Sequence, residues 1–280
     1  MRSRAMAKTM PDGRLHLQHG PIDLVIDAQG PARSAALIGA RKRFDQVLNE
    51  LVAELPLLRR AMPSAPPRGP IAHRMWRAAA PFQTSLVTPM AAVAGAVADD
   101  ILKHMRAAGP LSRAVVNNGG DIAMFLKRGE MTGAIAGSQT RLVLGAKDGI
   151  GGIATSGWRG RSLSLGIADS VTVLATSAAE ADVAATLIAN AVDLPEHPKI
   201  SRRPAHDVQC DSDLGRRCVT VGVGALTPTE TRQALHHGVV FARSCLDKGV
   251  IAAAFLTLNQ HHETVGARAG LTLESELLDA

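Results

Sequence analysis

Aromatic side chains are scarce in this chain. Phe, Trp and Tyr together make up 2% of its 280 residues, and Tyr is absent. Proteins that bind single-stranded nucleic acid usually stack bases on aromatic rings, so the composition argues against nucleic acid as a partner despite a net charge of +6. The basic residues are also scattered along the sequence. A solvated basic surface and a site for a small anionic ligand therefore both stay open.

Cysteines and long apolar runs are few as well. The three cysteines, Cys210, Cys218 and Cys245, include no Cys-x-x-Cys pair, and reduced thiols are the simplest account. Acidic residues and His206 lie near the first two, but their spacing fits no familiar zinc pattern. The longest apolar run, Met90 to Ala98, falls short of the roughly 20 residues of a membrane helix. The first 13 residues carry no apolar stretch typical of a signal peptide. We therefore expect a cytoplasmic protein without a membrane segment.

The periodicity of apolar residues predicts an α+β fold. Residues 14–27 alternate as in a β-hairpin that turns at Gly20-Pro21. Helical spacing predicts helices over 32–54, 71–80, 90–108, 178–192 and 229–247, with several strands between 113 and 156 and others at 171–175, 219–223 and 251–258. Prolines between 55 and 70 predict a loop. We expect largely antiparallel sheets packed with helices, in one domain over 1–280 built of two intimately packed lobes, with 1–13 and 264–280 loosely ordered.

The most informative segment is Asn117-Asn118-Gly119-Gly120-Asp121, which directly follows two β-branched residues. Asn tolerates a positive φ, and Gly has no Cβ that would hold a ligand away from the backbone. Asp121 then places a carboxylate beside backbone N–H groups, an arrangement that suits a phosphate with its Mg²⁺ ion. The same residues also fit the tight turn of a β-hairpin, and both interpretations stay open.

Two further segments carry oxygen donors that suit the same kind of ligand. Thr155, Ser156 and Gly157 lie at the end of a predicted strand, where hydroxyl and N–H groups can hold a phosphate or a ribose. Asp182 and Thr186 are four residues apart and therefore share one helix face. Oxygen donors of this kind are the ligands that Mg²⁺ prefers, although Asp182 would equally complement the helix dipole.

Taken in order, these segments resemble the ApbE family, flavin transferases that move FMN from FAD onto Thr or Ser of a protein. Residues 117–121 are similar to the family's Asn-x-Gly-Gly-Asp motif, and 153–157 to its Ala-Thr-Ser-Gly strand end. Residues 170–175, followed by Asp182 and Thr186, are similar to its Ser-Val-Thr-Val strand and Ala-Asp-x-x-x-Thr helix. The resemblance covers about residues 88 to 192. Residues 88–95, 166–169 and 212–215 look like the cytoplasmic, uncharacterised branch of the family.

The resemblance implies an ApbE-like fold that binds Mg²⁺ and FAD. It implies that Asp182 and Thr186 hold the metal and that Asp182 takes part in catalysis. The residues that would line the flavin nucleotide pocket are Asn117, Asn118, Gly119, Gly120, Asp121, Thr155, Ser156 and Gly157.

One interval departs from the transferases. They carry a His-x-x-Asp-Pro segment between the two motif strands, whereas residues 158–169 contain no His and no Pro follows Asp169. Asp169 is therefore the catalytic candidate in place of the histidine. Three functions stay open: Mg²⁺-dependent FMN transfer or FAD cleavage, non-catalytic binding of a flavin or nucleotide, and binding of another small metabolite. The sequence identifies neither an acceptor protein nor an oligomeric state, and it leaves an oligomer open.

Overall fold

The chain divides into two compact units that are each assembled from separate stretches of sequence. The computed structural model describes residues 4–85, 87–135, 140–266 and 272–275. The first unit comprises Met1–Met131, Gly145–Ala154 and Ala175–Val183, and the second Thr132–Leu144, Thr155–Leu174 and Ala184–Ala280. Within the described ranges there is no helix with the length and apolar character needed to cross a bilayer.

Strands and helices alternate along the chain. The first unit contains β1 (Met6–Thr9), β2 (Leu15–His19), β3 (Ile22–Gln29), α1 (Arg33–Leu58), α2 (Pro70–Ala79), α3 (Val93–Ala107), β4 (Arg113–Asn118) and β5 (Asp121–Leu126). Five elements have residues in both units: β6 (Glu130–Ala134), β7 (Thr140–Gly145), β8 (Gly152–Ser156), β9 (Ser170–Ala175) and α4 (Ala178–Ala191). The second unit also contains β10 (Ile200–Pro204), α5 (Ala205–Val208), β11 (Cys218–Val223), α6 (Pro228–Asp247), β12 (Ala253–Leu258), β13 (His261–Val265) and β14 (Thr272–Ser275).

The first unit is built on an antiparallel sheet in the order β1-β2-β3-β4-β5-β8. Side chains of β2, β3 and β4 alternate between buried and partly exposed positions, as expected where one face of a sheet is covered. Helix α1 packs against β2 and β3, and α3 packs against β4 and β5. Helices α1, α2 and α3 also contact one another. This packing places the start of α3 beside the β4–β5 turn.

Helix α1 is longer than its sequence predicts. It was expected to stop at residue 54, yet it continues to Leu58 through Pro56. Proline removes one backbone donor, but Pro56 lies in the last turn, so few hydrogen bonds are affected. Leu58 is fully buried, and its burial favours the extra turn.

Arg43 does not belong to a solvated basic face. Its side chain is only 7% exposed, and its Nε atom donates to Oδ2 of Asp100 over 2.6 Å. Its two terminal nitrogens donate to the carboxylate of Glu50 over 2.7 and 2.6 Å. These bonds, chiefly those to Glu50, raise the pKa of the Arg43 guanidinium. Arg43 therefore joins α1 to α3 as a buried cation with two anionic partners.

In the second unit the strand order is β8-β9-β12-β13, and β12 pairs antiparallel with both β9 and β13. Every described side chain of β12 is buried, and α6 packs against β12 and β13. Helix α6 begins with a capping box, in which Thr227 and Glu230 each bind the other's backbone N–H. Strands β10 and β11 form an antiparallel pair, and β6, β7 and β14 form a third sheet.

The observed elements confirm the predicted α+β class with largely antiparallel sheets. Residues 6–9, expected within a loosely ordered start, instead form β1, because their backbone pairs with β2. In the same way residues 264–265 lie in β13 and residues 272–275 in β14, although a loosely ordered tail was expected from 264. Residues 1–3, 267–271 and 276–280 of those segments lie outside the described residues. That residues 1–280 form one domain stays a prediction.

Candidate functional site

The Asn-Gly-rich segment forms a tight hairpin turn between β4 and β5. Asn118, the last residue of β4, pairs with Asp121, the first residue of β5. The two residues between them, Gly119 and Gly120, have φ angles of +66° and +117°, which L side chains rarely adopt. The N–H of Gly120 donates to Oδ1 of Asn117 over 2.8 Å and closes the turn. The hairpin interpretation is therefore correct, and the turn also places Asp121 at a strand end.

The start of α3 binds two of the predicted site residues. The side-chain amide of Asn118 donates to the carbonyl oxygen of Ala94 over 3.0 Å. The next residue, Gly95, donates its N–H to Oδ2 of Asp182 over 2.9 Å. Asn118 from the hairpin and Asp182 from α4 are thus fixed by consecutive residues of α3. Gly95, the last residue of the 88–95 segment, therefore contacts α4.

Asp182 carries a strongly perturbed carboxyl group. Burial raises its pKa well above the usual value, and repulsion from the negative charge of Asp121 raises it further. Backbone N–H groups of Gly95 and Ala94 lower that pKa, but burial prevails. Two carboxylates from different elements therefore lie close enough for their charges to interact. A cation between them would remove both the repulsion and part of the desolvation penalty.

Asp99 holds the N-terminus of α4 and was not predicted as a site residue. Its Oδ1 and Oδ2 atoms accept the N–H groups of Ala178 and Ala179, both over 3.1 Å. Burial raises the pKa of the Asp99 carboxyl, while these two amides and the charge of Arg74 lower it. The first amides of a helix lack partners within the helix and favour negative charge. Asp99 therefore positions the helix that carries Asp182.

Helices α3 and α4 are thus joined by two carboxylates, one from each helix, and each accepts backbone N–H groups of the other helix. Asp99 of α3 binds the first amides of α4, and Asp182 of α4 binds the amide of Gly95 in the first turn of α3. The contact is close, because a Cβ on Gly95 would lie 2.2 Å from the carbonyl oxygen of Ala178. We call this arrangement of Gly95, Asp99, Ala178 and Asp182 the α3–α4 clasp.

The hydroxyl residues at the end of β8 belong to the second unit. The Oγ1 atoms of Thr155 and Thr172 lie 2.9 Å apart and share a hydrogen bond. Ser156 is partly buried beside it. A Cβ on Gly157 would lie 2.4 Å from the carbonyl oxygen of Asp169. Close packing of the chain therefore accounts for glycine at position 157.

Asp169 is hydrogen-bonded through both of its carboxylate oxygens. Its Oδ1 accepts the indole N–H of Trp158 over 3.3 Å and the Nε–H of Arg159 over 2.8 Å. Its Oδ2 accepts the backbone N–H of Asn259 over 2.8 Å. Asn259 and Gln260 form the turn between β12 and β13 with φ angles of +46° and +63°. These bonds fix the segment after β8 and a strained turn.

Thr186 is partly buried one helical turn after Asp182, and its role as a metal ligand stays a prediction. Among the described residues no group of three or more His, Cys, Asp or Glu side chains is arranged to hold a metal ion, and this includes the segment around Cys210 and Cys218.

Comparisons with known proteins identify a family and several relatives of this chain. Residues 7–265 match the model of a family described as AbpE bacteria. A UPF0280 protein of Methanothrix thermoacetophila is 43% identical over 128 residues, which cover 44% of this chain and 52% of that protein. A UPF0280 protein of Methanosphaerula palustris is 38% identical over 165 residues, which cover 56% of this chain and 66% of that protein. The chain thus spans about half to two thirds of the curated relatives it matches.

Among solved structures, the apo form of the flavinyl transferase ApbE of Pseudomonas stutzeri is 11% identical. The match covers 95% of this chain and 98% of that one, with a TM-score of 0.45. The family model matches most of the sequence, and it confirms the resemblance to ApbE-like proteins that the motifs indicated. This chain belongs to the AbpE bacteria family.

Proposed function

We propose that this protein binds a flavin dinucleotide together with Mg²⁺ and cleaves its pyrophosphate. The observation that carries the proposal is the pair of carboxylates, Asp121 and Asp182, whose charges repel each other in the first unit. Mg²⁺ is typically held by one or two carboxylates together with phosphate oxygens of the substrate. The pair therefore fits a metal that arrives with a phosphorylated ligand, and a third carboxylate is unnecessary. The flavin part of the proposal comes from the order of the ApbE-like motifs.

Each predicted residue has a definite task in this proposal. Asp121 and Asp182 would hold Mg²⁺, and Thr186 stays the predicted further oxygen ligand. Bound Mg²⁺ would neutralise charge on the pyrophosphate. The turn of Asn117, Gly119 and Gly120 would lie against the nucleotide, and Asn118 holds that turn to α3. Thr155, Ser156 and Gly157 stay predicted nucleotide contacts in the second unit.

The reaction balances as a phosphoryl transfer. An oxygen of a Thr or Ser hydroxyl, or of water, forms a bond to the phosphorus of the FMN half. The bond from that phosphorus to the bridging oxygen breaks, and AMP departs with the bridging oxygen. The proton of the attacking hydroxyl passes to a base, the task for which Asp169 is the predicted candidate. The acceptor hydroxyl would belong to a protein of unknown identity.

A second candidate function is non-catalytic binding of the same ligand. It is favoured by the hydrogen bonds of Asp169, since both carboxylate oxygens already accept donors from Trp158, Arg159 and Asn259. A carboxylate whose two oxygens are both engaged in this way holds structure. The missing histidine points in the same direction.

Titration with FAD tests both candidates. Purified protein is titrated calorimetrically with FAD, with and without Mg²⁺, and the mixtures are separated by chromatography. We expect Mg²⁺-dependent release of AMP and FMN, which Asp182→Ala abolishes. Asp23→Asn is the control, because Asp23 is a partly exposed carboxylate of β3 that pairs with His16. Binding without products would establish the second candidate, and no binding under either condition would contradict both.

A further inference from the structure

Arg74 has a buried donor that finds no partner in the part of the chain that the structure describes. It lies in the middle of α2, and its Nε atom is inaccessible to solvent and donates no hydrogen bond to any described residue. Burying a guanidinium N–H without a partner is costly, because the group loses its water and gains no replacement. Proteins leave few such groups unsatisfied. An orphaned donor of this kind indicates a partner that the protein itself does not supply.

The position of Arg74 connects it with the carboxylates of the first unit. Helix α2 packs against the short 3-10 turn Pro89–Ala92 and against α3, which that turn precedes. The charge of Arg74 acts on Asp99 and lowers the pKa of that carboxyl. Arg74 is therefore close enough to the α3–α4 clasp for its charge to act on Asp99.

Asp99 does not accept a hydrogen bond from the Nε–H group of Arg74. Both carboxylate oxygens of Asp99 accept backbone N–H groups of α4, those of Ala178 and Ala179. The attraction between Arg74 and Asp99 thus acts without a direct hydrogen bond among the described residues. The planar fork of a guanidinium matches the oxygens of phosphates and carboxylates.

We propose that Arg74 binds a phosphate oxygen of the ligand and thereby selects ligands that carry a pyrophosphate. This inference rests on the proposed function, because it takes the ligand of the first unit to be phosphorylated. It assigns the two charges of the pyrophosphate to different partners. The Mg²⁺ ion held by Asp121 and Asp182 would offset one of these charges, and the guanidinium of Arg74 would offset the other.

The test uses inorganic pyrophosphate as the probe and the full chain as the protein. Calorimetric titrations with and without Mg²⁺ compare the wild type with Arg74→Gln, Arg74→Lys and Arg77→Gln. Arg77 is the matched control, since it lies on the same helix but is exposed. We expect Arg74→Gln to weaken binding about 10- to 100-fold, the effect of one hydrogen bond between charged groups. Arg74→Lys should recover part of the loss, and Arg77→Gln should stay within about twofold of the wild type.

Asp182→Asn separates this inference from the proposed function. If Asp182→Asn removes the Mg²⁺ dependence while Arg74→Gln binds as the wild type does, the role of Arg74 is refuted and the metal site stands. If Arg74→Gln weakens binding that never depended on Mg²⁺, the role of Arg74 stands and the metal site fails. A wild type that does not bind pyrophosphate refutes the inference, and the FAD titration then decides the function alone.

A purely structural role of Arg74 has its own signature. If Arg74 only offsets the charge of Asp99, Arg74→Gln lowers the melting temperature of the wild type, and it lowers that of an Asp99→Asn variant by less. The same variants would then bind pyrophosphate with unchanged affinity, which overturns the inference. A loss of affinity in Arg74→Gln at an unchanged melting temperature supports it.

Discussion

Replacing Gly95 with alanine tests whether the α3–α4 clasp is as close as its geometry indicates. Helix propensity alone favours alanine over glycine by up to about 1 kcal/mol. Sterics predict the opposite sign, because the new Cβ would lie 2.2 Å from the carbonyl oxygen and 2.4 Å from the carbonyl carbon of Ala178. Both atoms are backbone, so no side-chain rotation can relieve the contact. The start of α4 must move away from α3.

The expected cost combines two effects. Overpacking of this kind costs about 1–3 kcal/mol. The shift also lengthens the bond from the Gly95 N–H to the carboxylate of Asp182, and a hydrogen bond to a charged group contributes about 1.5–3 kcal/mol. After the gain in helix propensity, we expect the free energy of unfolding to fall by roughly 2–4 kcal/mol. A domain of this size then loses roughly 4–15 °C in melting temperature.

Thermal and urea denaturation measure this loss, and Gly39→Ala provides the control. Gly39 lies inside α1, and a Cβ there would make ordinary contacts, 3.6 Å from the carbonyl oxygen of His104 and 3.8 Å from the Cβ of Ala108. Gly39→Ala should therefore stabilise the protein by about 0.5–1 kcal/mol. If Gly95→Ala is as stable as the wild type while Gly39→Ala behaves as expected, the clasp is looser than described and the reasoning fails.

The charge of Asp182 gives a pH-dependent prediction. Its pKa is raised in the folded state, so the folded protein holds that proton more tightly than the unfolded chain. Protonation therefore stabilises the fold fully at pH values below the ordinary pKa of 3.8. This stabilisation is lost as the pH rises through the raised pKa. Without Mg²⁺, Asp182→Asn should melt above the wild type at pH 7 and together with it near pH 3, and Mg²⁺ should no longer stabilise it; equal melting curves at both pH values would contradict the raised pKa. Asp169→Asn should lower the free energy of unfolding by about 1–3 kcal/mol, since an amide nitrogen replaces one of two oxygens that accept donors. A large loss of FAD cleavage at unchanged stability would instead support the predicted catalytic role of Asp169.

Local patterns predicted much of the fold because each pattern acts over a few residues. Alternation over residues 14–27 predicted the β2–β3 hairpin, and the Asp182 to Thr186 spacing predicted a helix face. The Asn-Gly pair gave the β4–β5 hairpin as one of two interpretations. Pro56 was misjudged because the burial of Leu58, a tertiary effect, extends α1 beyond the proline.

The clasp could not be predicted, because its partners are distant in sequence. The Gly95–Asp182 bond spans 87 positions, and the bond from Asp169 to the Asn259 amide spans 90. One signal was available for Asp99: it is a carboxylate within a helix of small apolar residues, where burial demands a partner. Its partners are two backbone amides at the start of another helix, and no sequence pattern identifies them.

The positions of the two tryptophans have a spectroscopic consequence. The chain has no tyrosine and two tryptophans, so its near-ultraviolet fluorescence arises from Trp76 and Trp158. Trp76 belongs to the first unit, where its indole donates to the carbonyl oxygen of Pro63 over 2.9 Å. Trp158 belongs to the second unit, with the guanidinium of Arg159 4.7 Å from its ring centre. Each unit therefore carries its own built-in reporter, and two single Trp→Phe variants would record the emission of each unit separately during unfolding or titration.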